Sequence, residues 1–250
     1  MGSPPLGRRL TFDILPLSLM TKQLLPLLLL AAGSLTACDG ILDSIYDEVE
    51  DTTATEADST SLSTTGYGFI AYDSDSRRGT IYVNTVDYYT WTYFNFHDFT
   101  TDTLTIDLDL DDPLADEPTD WDLAFHRWDT RTNGGAALET SYTSLDDLEA
   151  SGTWPEGDMV EDEWYEYVNV DMSGMMSGDI GYMSCYCNLE LGKWMAVDTS
   201  GMPPTYTPSG KVYLVRFADG TYTALILSNY MNSSGTKCYL TIDFIYPFSL

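Results

Sequence analysis

From about residue 66 onward, apolar and polar side chains alternate one by one, the period of a strand with one buried face. The alternation is sharpest in residues 212–217 and 221–227, which flank Asp219-Gly220. Asp-Gly tolerates the positive φ values of a tight primed turn, so this stretch predicts a hairpin. A third run, residues 238–246, follows the turn-forming Asn232-Ser233-Ser234-Gly235 and is expected to pair back on it as a three-stranded meander. Residues 79–86, 88–96 and 104–110 read as further strands, rich in Tyr, Thr and β-branched side chains that suit a pleated surface. Residues 145–150 alone read as helix, and a short one. The fold class is therefore mainly β: antiparallel sheets in a single domain, residues 66–250, with long loops and few short helices.

Before residue 66 the pattern changes. Lys22 precedes a charge-free, Leu-rich run over residues 23–38 that closes in small residues. Its 16 residues fall short of the roughly 20 that span a bilayer, and it ends as a cleaved secretory signal does. Leu35-Thr36-Ala37-Cys38 resembles a bacterial lipobox, in which the Cys sulfur receives a diacylglycerol and becomes the first mature residue. Residues 1–37 then form a signal peptide, with Met20 as its true start because the stretch before it is unusually long for an n-region. Residues 39–65 are rich in Asp, Glu, Ser and Thr and hold no Lys or Arg, so 38–65 reads as a lipidated Cys with an acidic flexible tether. Acidic residues behind a lipidated Cys resemble the surface-export signal of Bacteroidetes lipoproteins. The expected location is the outer membrane at the cell surface, with the periplasmic face as the alternative.

Charge narrows the function classes. Eleven Lys and Arg stand against 39 Asp and Glu, a formal charge of −28, which removes the cations that nucleic-acid binding requires. The same field repels anionic headgroups and leaves the lipid anchor as the membrane contact. Two His and few Lys supply little for a nucleophile and its base, and no nucleotide-binding glycine loop is present, so the chain reads as a non-enzyme. Asp107-Leu108-Asp109-Leu110-Asp111-Asp112 begins like an EF-hand loop. It fails at the sixth position, Asp112 in place of Gly, and at the twelfth, Pro118 in place of Glu. With Cys38 lipidated, Cys185, Cys187 and Cys238 remain, an odd number for an oxidising compartment. On a strand Cys185 and Cys187 share a face, and either could bridge Cys238. Cys-x-Cys with one distant Cys is poor zinc spacing, which favours structural thiols.

The most distinctive string is Trp121-Asp122-Leu123-Ala124-Phe125-His126-Arg127-Trp128-Asp129-Thr130-Arg131-Thr132-Asn133-Gly134-Gly135. After it come Asp171-Met172-Ser173-Gly174-Met175-Met176, Gly181-Tyr182-Met183, Gly201-Met202-Pro203-Pro204-Thr205-Tyr206, Lys211-Val212-Tyr213-Leu214-Val215-Arg216 and the Asp219-Gly220 turn. Taken in this order the set resembles the HmuY-like family, Bacteroidetes lipoproteins that capture haem. The resemblance implies a mostly β protein, shaped somewhat like a cupped hand, that clamps one haem between loops and delivers it to an outer-membrane uptake system such as a TonB-dependent receptor. Two His ligate the iron in the founding branch and Met does so in others. Here only His97, at a strand end, and His126, inside the signature string, are present, so a bis-His site in the family's usual place is excluded.

Methionine can serve instead, because a thioether is a soft, neutral donor to haem iron. The family's two ligand-bearing segments map onto residues 171–176 and 201–204. That makes Met202 one axial candidate and Met172, Met175 or Met176 the other. Pro203-Pro204 would hold the second turn stiffly, although Met is also a common gap-filler of cores. Candidate pocket walls are Trp154, Trp164, Tyr165, Tyr167, Tyr182, Trp194 and Tyr206; Arg127, Arg131 and Lys193 are the bases that could meet a propionate. The competing reading is a surface glycan-binding lipoprotein, in which 18 Tyr and six Trp on a β scaffold stack against sugar rings.

Overall fold

A computed structural model describes residues 62–250 apart from Thr199, Met202 and Pro203. The expected signal peptide, Cys38 and nearly all of the tether lie outside the described residues, as does Met202. The elements run β1 (Gly68–Asp73), β2 (Arg78–Asn84), β3 (Thr90–Asn95), β4 (Thr100–Thr105), β5 (Leu123–His126), β6 (Asp129–Thr132) and β7 (Ala136–Glu139). A helix α1 (Leu145–Ser151) and β8 (Val160–Glu161) precede the long strands β9 (Glu163–Gly174) and β10 (Asp179–Cys187), which are joined by a 3-10 turn, Met175–Ser177. A second 3-10 turn, Leu191–Trp194, leads into β11 (Met195–Asp198), and β12 (Thr205–Pro208), β13 (Val212–Arg216), β14 (Tyr222–Met231) and β15 (Lys237–Ile245) complete the chain.

These strands make two main sheets and two separate hairpins. The larger sheet has the order β1-β2-β15-β14-β13-β7-β8, the smaller β4-β3-β5-β6, and β9 with β10 and β11 with β12 stand as two-stranded pairs. All pairings are antiparallel.

The alternation seen in the sequence sorts side chains into layers. In β13, Tyr213 and Val215 enter the core between the two sheets with Phe217 just beyond, while Val212 and Leu214 face α1 on the opposite side. In β15, Leu240, Ile242 and Phe244 face inward in the same way, and Ile245 joins the α1 layer. β3 is buried on both faces: Phe94 packs toward the larger sheet, whereas Trp91 and Tyr93 pack under Val168, Val170, Met183, Cys185 and Cys187 of the β9–β10 hairpin. The layers are thus helix, large sheet, small sheet, hairpin.

Local chemistry fixes the ends of the elements. Ser144 caps α1 by accepting from the Asp146 and Asp147 amides, and Gly152 ends the helix in the left-handed region. The expected meander forms, with β13 paired to β14 and β14 to β15. Its first turn differs from the primed form expected. Gly220 N donates to the Phe217 carbonyl, and in this turn only Gly220 has positive φ, so Ala218, Asp219 and Gly220 make a three-residue loop with glycine at the left-handed position. The strand expected over 104–110 is also displaced. β4 is the polar edge Thr100–Thr105, and the Leu/Asp alternation that follows is turn, with Asp107 and Asp112 accepting from the amides of Asp109 and Leu114. Among the described residues no helix is long and apolar enough to cross a membrane.

Candidate functional site

The β9–β10 hairpin has two unlike faces because its register puts directly paired residues on the same side. Val168 opposite Met183 and Tyr165 opposite Cys185 face the small sheet. Trp164 opposite Tyr186 faces away, with Tyr182 on the same outer side. Trp164, Tyr167, Tyr182 and Tyr186 are each at least half exposed. They meet edge to face, Trp164 with Tyr186 at 5.4 Å and Tyr167 with Tyr182 at 6.0 Å between centroids.

The tip of this hairpin carries the first group of candidate methionines. A Cβ on Gly174 would sit 2.3 Å from the Asp179 carbonyl oxygen, so only glycine lets the two strands close there into the Met175–Ser177 turn. Met176 lies on that turn with 89 % of its surface exposed. Met175 is half-buried. Met172 is still within β9, and its Sδ accepts from the Asn169 side-chain amide at 2.7 Å. Asn169 Oδ1 is buried and finds no partner beside it.

The second candidate segment is also a hairpin connection. Residues 199–204 join β11 to β12, whose register pairs Asp198 with Thr205 and Val197 with Tyr206. Tyr206 is half-buried against Trp128, with ring centroids 5.4 Å apart, and burial pushes its phenol up to about 12, which keeps the hydroxyl protonated. Lys237 from β15 reaches this place from elsewhere in the fold. Its Nζ lies 4.5 Å from the Tyr206 ring centroid and 3.5 Å from the Pro204 carbonyl oxygen. Sequence reading missed this cation because Lys237 lies more than thirty residues onward in the chain and no local signal marks its approach.

A pocket of about 210 Å³ lies between the roots of the two hairpins. Tyr165 and Cys187 of the first hairpin, Trp128 and Asp129 at the β5–β6 turn, and Gly192 and Lys193 just before β11 line it. A second, polar hollow of about 330 Å³ lies by Glu117, Trp121, Arg131, Asp162 and Tyr186.

The remaining expected site residues are engaged elsewhere. Arg131 is buried, bonded to Glu117 Oε2 at 2.6 Å and to the Tyr186 carbonyl, with its guanidinium against Trp91 and Trp121. Arg127 lies over the Tyr88 ring at 3.9 Å and donates to the Thr85 and Val86 carbonyls. Lys193 pairs with Glu190. His126 is fully buried, stacked on Trp91, with Nε2 donating to the Tyr88 carbonyl and Nδ1 facing Asp129. His97 bonds the Tyr246 hydroxyl and faces Asp122 and Asp219. Trp194 is buried against Phe125, and Trp154 packs on Tyr222 and Phe248 beside α1. Cys185, Cys187 and Cys238 are all free thiols, so the bridge to Cys238 that the sequence left open is not made.

Comparison with known proteins places this arrangement. The model of the HmuY protein family matches residues 87–244, from β3 through almost all of β15 and including both hairpins. The chain belongs to the HmuY family. A Bacteroides vulgatus crystal structure described as an HmuY-like haem-binding protein is 49 % identical, covers 74 % of this chain and 100 % of its own, and superposes with a TM-score of 0.68. One from Bacteroides fragilis, described as a lipoprotein, is 44 % identical over 75 % of this chain and 99 % of its own, with a TM-score of 0.70. Apo PinO from Porphyromonas gingivitis is 27 % identical, covers 68 % and 98 % of the two chains, and has a TM-score of 0.57. No curated protein matches the chain. Within the HmuY family match, residues 171–176 span the end of β9 and the turn after it, and the second segment follows β11; neither pair of strands belongs to the two main sheets.

Proposed function

We propose that this HmuY-family chain is a haem-capturing lipoprotein that grips the porphyrin between the turns of its two hairpins, with Met202 on one side of the iron and a methionine of the β9–β10 tip on the other. The observation that carries the reading is Met176, an apolar side chain 89 % exposed on a tight tip held closed by Gly174 and the left-handed Gly178. An exposed thioether has no packing role and is free to bind a soft metal, as axial Met does in cytochromes. Met172 ranks lower because its sulfur already accepts from Asn169, and Met175 lies between the two. The donor set suits haem: neutral thioethers for iron, the Tyr206 edge for the macrocycle, and Lys237 for a propionate. Arg127 and Arg131, bound within the sheets, are not needed for that contact.

In the same reading Cys38 anchors the chain by lipid at the outer face of the outer membrane, and a TonB-dependent receptor takes the haem onward. A glycan-binding role is the second reading, favoured by the exposed Trp164, Tyr167, Tyr182 and Tyr186.

Titration of the full chain with ferric and ferrous haem decides between them. The expected result is a sharp low-spin Soret band, stronger in dithionite, that shifts in both Met202→Ala and Met176→Ala. A spectrum unchanged from free haem overturns haem capture and leaves the glycan reading.

A further inference from the structure

Haem capture makes no use of the two thiols at the root of the first hairpin. Cys185 and Cys187 occupy alternate positions of β10 in regular register with Tyr165 and Glu163, so both side chains face the small sheet, where both are buried. Their sulfurs are 3.5 Å apart, and Cys187 forms part of the wall of the 210 Å³ pocket together with Asp129, Tyr165 and Asn188.

Three kinds of chemistry can engage such a pair, and geometry separates them. Alternate Cα atoms of an extended strand lie about 6.6 Å apart, the outer end of what a disulfide tolerates. Closing the S–S bond would also require the sulfurs to approach by about 1.5 Å inside a packed layer. A divalent cation needs more donors, and among the described residues no group of three His, Cys, Asp or Glu can hold a metal. A cation would further have to expel two thiol protons, whereas the S–H···S contact with Cys185 and then burial push the Cys187 thiol far up. A trivalent centre meets both constraints: two thiolate bonds of about 2.3 Å meeting near ~100° span about 3.5 Å with no movement of the strand.

We propose that Cys185 and Cys187 form a dithiol site for a trivalent thiophilic metalloid of the arsenous-acid class, entered through the pocket at the hairpin root. With arsenous acid, two S–H and two As–O bonds break, two As–S bonds form, and the thiol protons leave in two molecules of water. Arsenic stays trivalent throughout. The product, a dithioarsenite with one remaining hydroxyl, is neutral and suits the apolar layer of Trp91, Tyr93, Val168 and Met183.

Phenylarsine oxide tests this on the reduced full chain. The expected result is one phenylarsenic unit per chain, bound with loss of one water, protecting two thiols that peptide mapping identifies as Cys185 and Cys187. Excess monothiol should leave it in place and a competing dithiol should remove it. Cys185→Ala and Cys187→Ala should each lose at least tenfold in affinity, with Cys238→Ala and Cys38→Ala unchanged. Adduct on Cys38 or Cys238, release by monothiol, or reaction only after unfolding overturns the proposal, and these mapping results stand even where an alanine variant fails to fold.

Discussion

Aromatic rings do opposite things in the two halves of this molecule. Between the main sheets they are dry and mutually packed: Phe69 alone meets Phe94, Phe96, Phe99 and Phe244 edge to face at 5.0–5.8 Å. On the outer face of the β9–β10 hairpin, Trp164, Tyr167, Tyr182 and Tyr186 are half exposed or more, and beyond them Met176 stands almost fully in water. Burial stabilises the first group by roughly 1.5–3 kcal/mol per large side chain, a gain the second group does not collect. The hairpin presents to solvent the kind of apolar surface that the sheets bury, so the residues that stabilise the fold are not the ones this face displays.

The sharpest way to break that division is from the core. Phe244→Ala removes a fully buried ring that touches Phe69, Tyr72 and Phe96, and should cost about 3–5 kcal/mol. Urea unfolding followed by far-UV circular dichroism measures it, and a loss below about 1 kcal/mol would mean that this interface is not the structural half. Gly174→Ala comes next. The added methyl meets the Asp179 backbone oxygen at 2.3 Å, which cannot retreat as a side-chain end would. The expected cost is about 1–3 kcal/mol with a displaced tip. Its mark is unequal damage: haem affinity should fall tenfold or more while the unfolding midpoint moves little relative to Phe244→Ala.

Legibility in the sequence follows the same line. The meander β13–β15 and helix α1 could be read because their signals are local: alternation, Asp-Gly and the Asn232-Ser233-Ser234-Gly235 turn in the first, a short helical stretch over 145–150 in the second. Strand β4 could not, since an edge strand of Thr and Asp has one neighbour and no apolar face to announce it, while the Leu/Asp alternation after it imitates a strand and is held as turn by Asp107 and Asp112. At the candidate site, the methionine segments were named from the family resemblance. The side chains around Tyr206 were not, because Lys237 arrives from a strand more than thirty residues onward. Nor did alternation reveal that Arg131 would be buried against Glu117, which depends on the long β4–β5 loop folding back.

Met176→Ala should sharpen the contrast from the other side. Its side chain is 89 % exposed, so stability should stay within about 0.5 kcal/mol of the parent. The ferrous haem Soret band should nevertheless shift. An unaltered band with an unaltered midpoint would pass the ligand role to Met175, and a destabilised variant would show that the tip has a structural function after all.

The subtlest effect sits where the two halves join. Asp162 lies between β8 and β9 and accepts from the Thr132 amide, the Thr132 hydroxyl and the Asn188 side chain, tying the hairpin root to β6. Burial raises its carboxyl above the ordinary range, and the hydrogen bonds pull the other way without overcoming it. A carboxyl whose folded value is raised contributes stability that is complete below its unfolded value, about 3.9, and is lost as pH climbs through the folded one. The stability of the parent relative to Asp162→Asn, followed by urea unfolding in small steps upward from pH 3.5, should therefore decline across that window and then level off. A difference that grows with pH would mean that Thr132 and Asn188 hold the ionised carboxylate more strongly than burial opposes it. The joint would then be tightest at neutral pH, and the hairpin would be fastened by charge rather than merely tolerating it.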